Sequence, residues 1–115
     1  MTSAPLGKTC LRRTLILALP VALAACAQSP SAIAPVSMAG AYDDLSCSEA
    51  RQMLGAERAT LASLSAAQQG AVAGDAVGVL LLGVPMSSLT GGDQAGAIAL
   101  SKGKIAAFEA RLAGC

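Results

Sequence analysis

Apolar and polar positions divide the chain into stretches of different period. Lys8, Arg12 and Arg13 precede the apolar run Leu15-Ile16-Leu17-Ala18-Leu19-Pro20-Val21-Ala22, the order of charge and hydrophobicity found in an export signal, so residues 1–25 are expected to be a cleaved targeting segment. The run is too short to span a bilayer as a permanent helix. Residues 27–41, with Gln28, Ser29, Pro30, Ser31, Pro35 and Gly40, have neither a helical nor a strand period. They predict, with Cys26, a flexible tether (26–41) with a mean reach of roughly 20 Å. From Tyr42 the pattern becomes helical. Ser46 and Glu49 have capping-box spacing with Leu45 placed as a staple, and Ala50, Leu54, Leu61 and Leu64 follow as a roughly heptad stripe, weakened by Gly55 and Glu57.

At Gln68-Gln69-Gly70 the character changes. Gly70, Gly74 and Gly78 recur every four residues among Val72, Val77, Val79, Leu80, Leu81, Leu82 and Val84, with Asp75 the one charge in the run. Pro85 lacks an amide hydrogen and clashes with the preceding turn, so a helix should stop near Gly83-Val84. Met86–Gly92 reads as loop. Asp93 can cap a second helix whose apolar positions Ile98, Ile105, Phe108 and Leu112 share one stripe, with Arg111 suited to its C-terminal dipole and Gly103 weakening its middle by about 1 kcal/mol relative to alanine. The predicted fold is all-α: an antiparallel helical hairpin over residues 42–115 with an apolar, Gly-rich tip. The first helix would be about 57 Å long and the second about 34 Å. Either the first overhangs its partner, or it breaks at Gly74-Asp75 and folds the apolar segment back as a short third helix.

The segment Ala76–Leu82 has more than one reading. Core burial, with the glycines permitting close helix contact, is the plainest. A second is a surface formed by Gly70, Gly74, Gly78, Leu80, Leu81 and Leu82 that dips into a membrane or self-associates through its small residues. A spanning helix is disfavoured, because Asp75 and Pro85 bracket too few apolar residues.

The four residues closing the targeting segment, Leu23-Ala24-Ala25-Cys26, resemble the lipobox of bacterial lipoproteins. That resemblance implies cleavage before Cys26 and acylation of its thiol by palmitate-like chains, leaving a mature chain of 90 residues from the 115 of the whole. Each buried methylene contributes about 0.8 kcal/mol, so two or three chains make a stable anchor. Ala27 rather than aspartate follows the cysteine; by analogy with enterobacterial sorting this favours the periplasmic face of the outer membrane, with the inner membrane as the alternative. An ordinary secretory signal cut at an Ala-x-Ala-like site is the competing reading. Cys10 lies on the discarded side.

Of the remaining cysteines, Cys47 opens the first helix and Cys115 follows the second, so an antiparallel hairpin brings them together at its base. An oxidising periplasm would join them. Closing so long a loop is worth about 4 kcal/mol on the chain-entropy estimate. Reduced thiols, or pairing between chains, are the alternatives.

Composition removes several kinds of chemistry from the expectation. The chain has no histidine, and Tyr42 and Phe108 are its only aromatic residues. Five basic and seven acidic side chains leave residues 26–115 at −2, with no basic face for nucleic acid. Ser87-Ser88 and Ser101-Lys102 are polar pairs of the kind found on loops and helix faces, and Asp43, Asp44 and Glu49 suit a helix N-terminus without any ion. No metal site, cofactor or enzymatic activity is expected. The pattern Tyr42-x-x-Leu45-Ser46-Cys47, the apolar Gly-rich middle, Gly92-Asp93, Ile98, Lys102-Gly103 and Cys115 is similar to that of a group of small proteobacterial lipoproteins without an established activity. The resemblance implies an envelope location and a helical hairpin. The expected function is that of a lipid-anchored envelope lipoprotein with a structural or interaction role, its partners the membrane, an envelope protein or a second copy. The alternative is a membrane-active or self-oligomerising module acting through residues 70–84.

Overall fold

The computed structural model describes residues 27–115; the expected export signal, residues 1–25, and Cys26 lie outside the described residues. Within them the chain forms three α-helices and one short 3-10 turn, Pro30–Ala32, and no strand. Helix α1 spans Cys47–Leu82, α2 spans Met86–Thr90 and α3 spans Ala95–Ala113. The fold is all-helical, and α1 and α3 form the antiparallel hairpin that the periodicity predicts.

Helix α1 starts where the capping box places it. The Ser46 amide donates to Glu49 Oε2 at 3.0 Å and the Glu49 amide donates to Ser46 Oγ at 3.3 Å, so each side chain satisfies a donor that a helix end leaves orphaned. The helix then runs unbroken for 36 residues. Of the two expectations for its length, the overhang is the one realised: there is no break at Gly74-Asp75, and the chain turns only at Gly83, which takes φ +75° and donates its amide to Val79 O at 3.1 Å. A residue with a Cβ is strained at that left-handed angle.

The inward seam of α1 is longer than its aliphatic residues suggest. Residues 50, 54, 57, 61, 64, 68, 71, 75 and 78 are all buried or half-buried, in alternating steps of four and three. Opposite them Gln94, at the cap of α3, and positions 98, 101, 105, 108 and 112 of that helix follow with the same rhythm and the same shielding. Such a repeat keeps two helices in register along their length. Ile98 and Phe108 are the largest apolar side chains of this interface, at 0% and 1% exposure; full burial of each is worth roughly 1.5–3 kcal/mol. Arg58 and Glu109 form a surface ion pair at 2.8 Å, and Lys104 reaches Glu57 at 3.5 Å.

Residues 27–45 are not a free tether. They lie along the hairpin as a strap that runs from the tip toward the base, with Val36 N donating to Ala99 O at 3.0 Å, Ile33 buried and Tyr42 stacked on Phe108 with ring centroids 4.4 Å apart. The missing period misleads because the strap, apart from the 3-10 turn Pro30–Ala32, has no regular structure of its own and takes its partners from α1 and α3. Gly103, expected only to weaken the second helix, is what admits it: a Cβ there would collide with the Val36 carbonyl.

Two further expectations change at the tip. Met86–Gly92 is not all loop, since Met86–Thr90 forms the short helix α2, which packs back on α1; Gly78 sits under Met86 and the Val84 carbonyl with no room for a Cβ. Nor is Ala76–Leu82 core. Gly78 alone of that segment is buried, and Leu80, Leu81 and Leu82 are 83%, 72% and 67% exposed. The seam of α1 passes through 75 and 78, so helix geometry sends Leu80 and Leu81 outward, while Leu82 falls on the next step of the seam and is exposed all the same. Among the described residues no helix is long and apolar enough to cross a membrane.

Candidate functional site

The features that set this hairpin apart gather toward its tip, where polar side chains occupy the seam. Asp75 is 2% exposed, and a carboxylate at such a position needs donors around it. It has three. Oδ2 accepts from the Ala27 amide at 2.8 Å and from the Ser87 hydroxyl at 2.6 Å, and Oδ1 accepts from the Ser87 amide at 2.6 Å. A lone charge in an apolar run suits a helix-breaking or capping role. Asp75 does cap a helix, but the helix is α2, and it also fixes the first described residue of the strap. The Ser87 hydroxyl first, then the Ala27 and Ser87 amides, hold its carboxyl below the ordinary carboxylate value.

One heptad toward the base, Gln68 is fully buried and acts as a second junction. Its Nε2 donates to Gln28 O at 2.8 Å and to Asp93 Oδ1 at 2.9 Å, while its Oε1 accepts the Gln94 amide at 2.5 Å. Strap, helix α1 and the entry to α3 therefore meet on one amide side chain. Asp93 also accepts the Ala95 amide at 2.9 Å, the capping contact expected of it, although Gln94 is the residue at the cap position. Further along, Lys102 Nζ donates to Pro30 O and Ile33 O, both at 2.6 Å. These three side chains, none of which the aliphatic pattern singles out, hold the strap in place. Extending the stripe Ala50, Leu54, Leu61, Leu64 by its own steps to 68 and 75 is the signal that finds two of them.

At the opposite end, Cys47 and Cys115 stand with their sulfurs 2.10 Å apart and their Cα atoms 6.1 Å apart, a disulfide-bonded geometry that closes the base of the hairpin. Arg111 ties the same end by donating from Nε to Leu45 O at 2.7 Å. Cys26, the expected lipidation residue, lies outside the described residues.

The glycines expected to act together have different surroundings. Gly70 and Gly74 have open space where a Cβ would be, and Gly78 has none. Leu80, Leu81 and Leu82 are instead joined by Val77, Val79, Val84 and Leu89, so seven of the ten large apolar side chains exposed among the described residues lie between positions 77 and 89. No charged residue occurs from Ala76 to Gly92. A shallow cleft of about 360 Å³ between Pro35–Gly40 and Gly103, Ala106 and Ala110 is lined mostly by small side chains and backbone, with Asp43 its one charged residue, and one carboxylate is not the convergent set of polar groups that orients a ligand. Among the described residues no group of three or more His, Cys, Asp or Glu is placed to hold a metal ion. The Lys102 ammonium is engaged by strap carbonyls, and the buried Ser101 hydroxyl has no hydrogen-bond partner.

No protein-family model matches the chain, and no match was found among curated proteins or solved structures.

Proposed function

We propose that the protein is a lipid-anchored lipoprotein of a Gram-negative cell envelope, held through Cys26 at the periplasmic face of the outer membrane and serving a structural or interaction role without catalysis. The observation that carries this reading is Leu23-Ala24-Ala25-Cys26 directly after a positive region and an apolar run. The sulfurs of Cys47 and Cys115 at bonding distance suit an oxidising compartment, which supports the same reading from an independent pair of residues. The group of small proteobacterial lipoproteins with a similar pattern belongs to the same compartment.

Mass spectrometry of the amino terminus, on protein recovered from fractionated Gram-negative cells, tests it. The expected species begins at Cys26 with its thiol acylated and travels with outer-membrane markers, and C26A is released in soluble form. An unmodified terminus on soluble wild-type protein would sink the proposal. The exposed apolar side chains at the tip, six of them between positions 77 and 84, favour a second reading, a membrane-active or self-oligomerising module acting through residues 70–84. Chemical crosslinking in cells separates the two: a stoichiometric envelope partner favours the first, and a ladder of homo-oligomers the second.

A further inference from the structure

The strap settles a question of orientation that the sequence left open, namely which end of the hairpin a lipid anchor would meet. Ala27 is fixed by its amide to Asp75, and Asp75 lies seven residues before the last residue of α1, Leu82, about 10 Å along the axis. Cys26 is joined to Ala27 by one peptide bond, so their Cα atoms are about 3.8 Å apart. An acyl group on Cys26 therefore starts beside the apolar tip and far from the disulfide, which sits at the other end of a helix about 54 Å long.

We propose that the tip, presented by Leu80, Leu81, Leu82 and Leu89, enters the bilayer that receives the anchor, with the Cys47–Cys115 end directed away from it. The inference rests on the lipoprotein reading and adds an orientation and a second membrane contact to it. Three observations favour a bilayer as the occupant over a second copy of the chain or a protein partner. The described chain ends at Ala27, against this tip. The stretch Ala76–Gly92 lacks charge altogether, so nothing in it opposes transfer into hydrocarbon or specifies a complementary protein. Charge is plentiful at the other end, on Asp43, Asp44, Glu49, Arg51 and Glu109, all exposed. An apolar helix end of this size reaches roughly 5–10 Å into the boundary between headgroups and acyl chains. With no basic residue in the tip, insertion should depend little on anionic lipid.

The chain contains no tryptophan, which gives a clean test. Full-length L81W and M53W are expressed in a Gram-negative host, purified as the lipidated protein and reconstituted into phosphatidylcholine vesicles containing bromine-labelled acyl chains. Both substitutions fall on exposed side chains, and circular dichroism with a thiol titration checks that helix and disulfide match the parent. Expected are an at least about twofold loss of emission for the indole at position 81 and almost none for that at position 53, unchanged when anionic lipid is added. Exposure of the position 81 indole to aqueous iodide, or its shielding from both iodide and bromolipid by a second copy or the chain's own amino-terminal segment, would overturn the inference, as would quenching that requires anionic lipid. Mass spectrometry on the same preparation keeps the two proposals apart. An acylated Cys26 with an unquenched position 81 defeats the orientation alone, whereas a missing acyl group defeats the lipoprotein reading.

Discussion

Helix α1 follows opposite rules in its two halves. Between Ala50 and Leu64 its seam is lined mainly by aliphatic side chains, as a helix packing on a partner requires. From Gln68 to Gly78 the same seam turns an amide, a carboxylate and a glycine inward, while Val77, Val79 and Leu80–Leu82 face outward. The backbone geometry is the same in both halves; the neighbour differs. In the base half it is α3, a regular helix whose own backbone bonds are complete, so apolar contact suffices. In the tip half the neighbours are an irregular strap and a single short helix, whose amides and carbonyls need partners. Gln68 and Asp75 supply them. From Ala50 to Gly78, burial on this helix is decided by position on the seam, and the residue type then records what kind of backbone lies opposite.

The contrast yields a graded set of outcomes. Removing the bond at the base with C47A/C115A should cost about 4 kcal/mol, since it frees a loop closed over a separation of 68 residues, and urea unfolding should show it as a large drop in midpoint. I98A, in the apolar half, empties a fully buried site and should cost about 3 kcal/mol by the same measurement. G103A should lose about 1–3 kcal/mol, because the strap must shift to clear the new methyl group; limited proteolysis should then cut within residues 30–40 while α1 and α3 stay intact. D75N leaves Ala27 and Ser87 competing for one acceptor oxygen. Hydrogen exchange at those amides should rise by roughly tenfold or more with little change near Phe108. The least effect is expected from L81S, within about 0.5 kcal/mol of the parent, since its side chain is 72% exposed. A loss as large as that of I98A would mean that the tip is core after all and would abolish the contrast.

The clamp also carries a dependence on pH with a definite sign. Its hydrogen bonds depress the Asp75 carboxyl below the 3.8 of a free aspartate. A depressed carboxylate contributes stability that is complete above its unfolded value and disappears as pH falls through its folded one. Exchange protection at Ala27 and Ser87, corrected for intrinsic rates, should hold from neutral pH to about 4 and decline below that.

Much of the framework can be read from residue order. The capping box at Ser46 and Glu49, the stop at Gly83, the stripe Ile98, Ile105, Phe108, Leu112 and the meeting of Cys47 with Cys115 all follow from local rules or from the antiparallel pairing. The strap was not readable, because Pro30, Pro35 and Gly40 carry the composition of a linker and its contacts lie up to 72 residues away, as between Lys102 and Pro30. Asp75 stands out by its charge, but which helix it caps and its hold on Ala27 are not legible, since a local rule sees only its own helix. The hydrophobicity of the leucines at 80–82 leaves core and surface readings both open, whereas their order decides between them, since three successive residues span most of a helical turn and cannot all face one neighbour.

The direction of the strap governs how the protein would answer a mechanical load. Tension applied at its amino-terminal end and drawn outward past the tip runs parallel to the strap, so the grips of Asp75, Gln68 and Lys102 share the force rather than opening one after another like a peeled seam. Were they to yield together, the twenty residues from Ala27 to Ser46 would pay out to about 65 Å. The folded rod could then travel that distance from its point of attachment with its disulfide-closed end undisturbed.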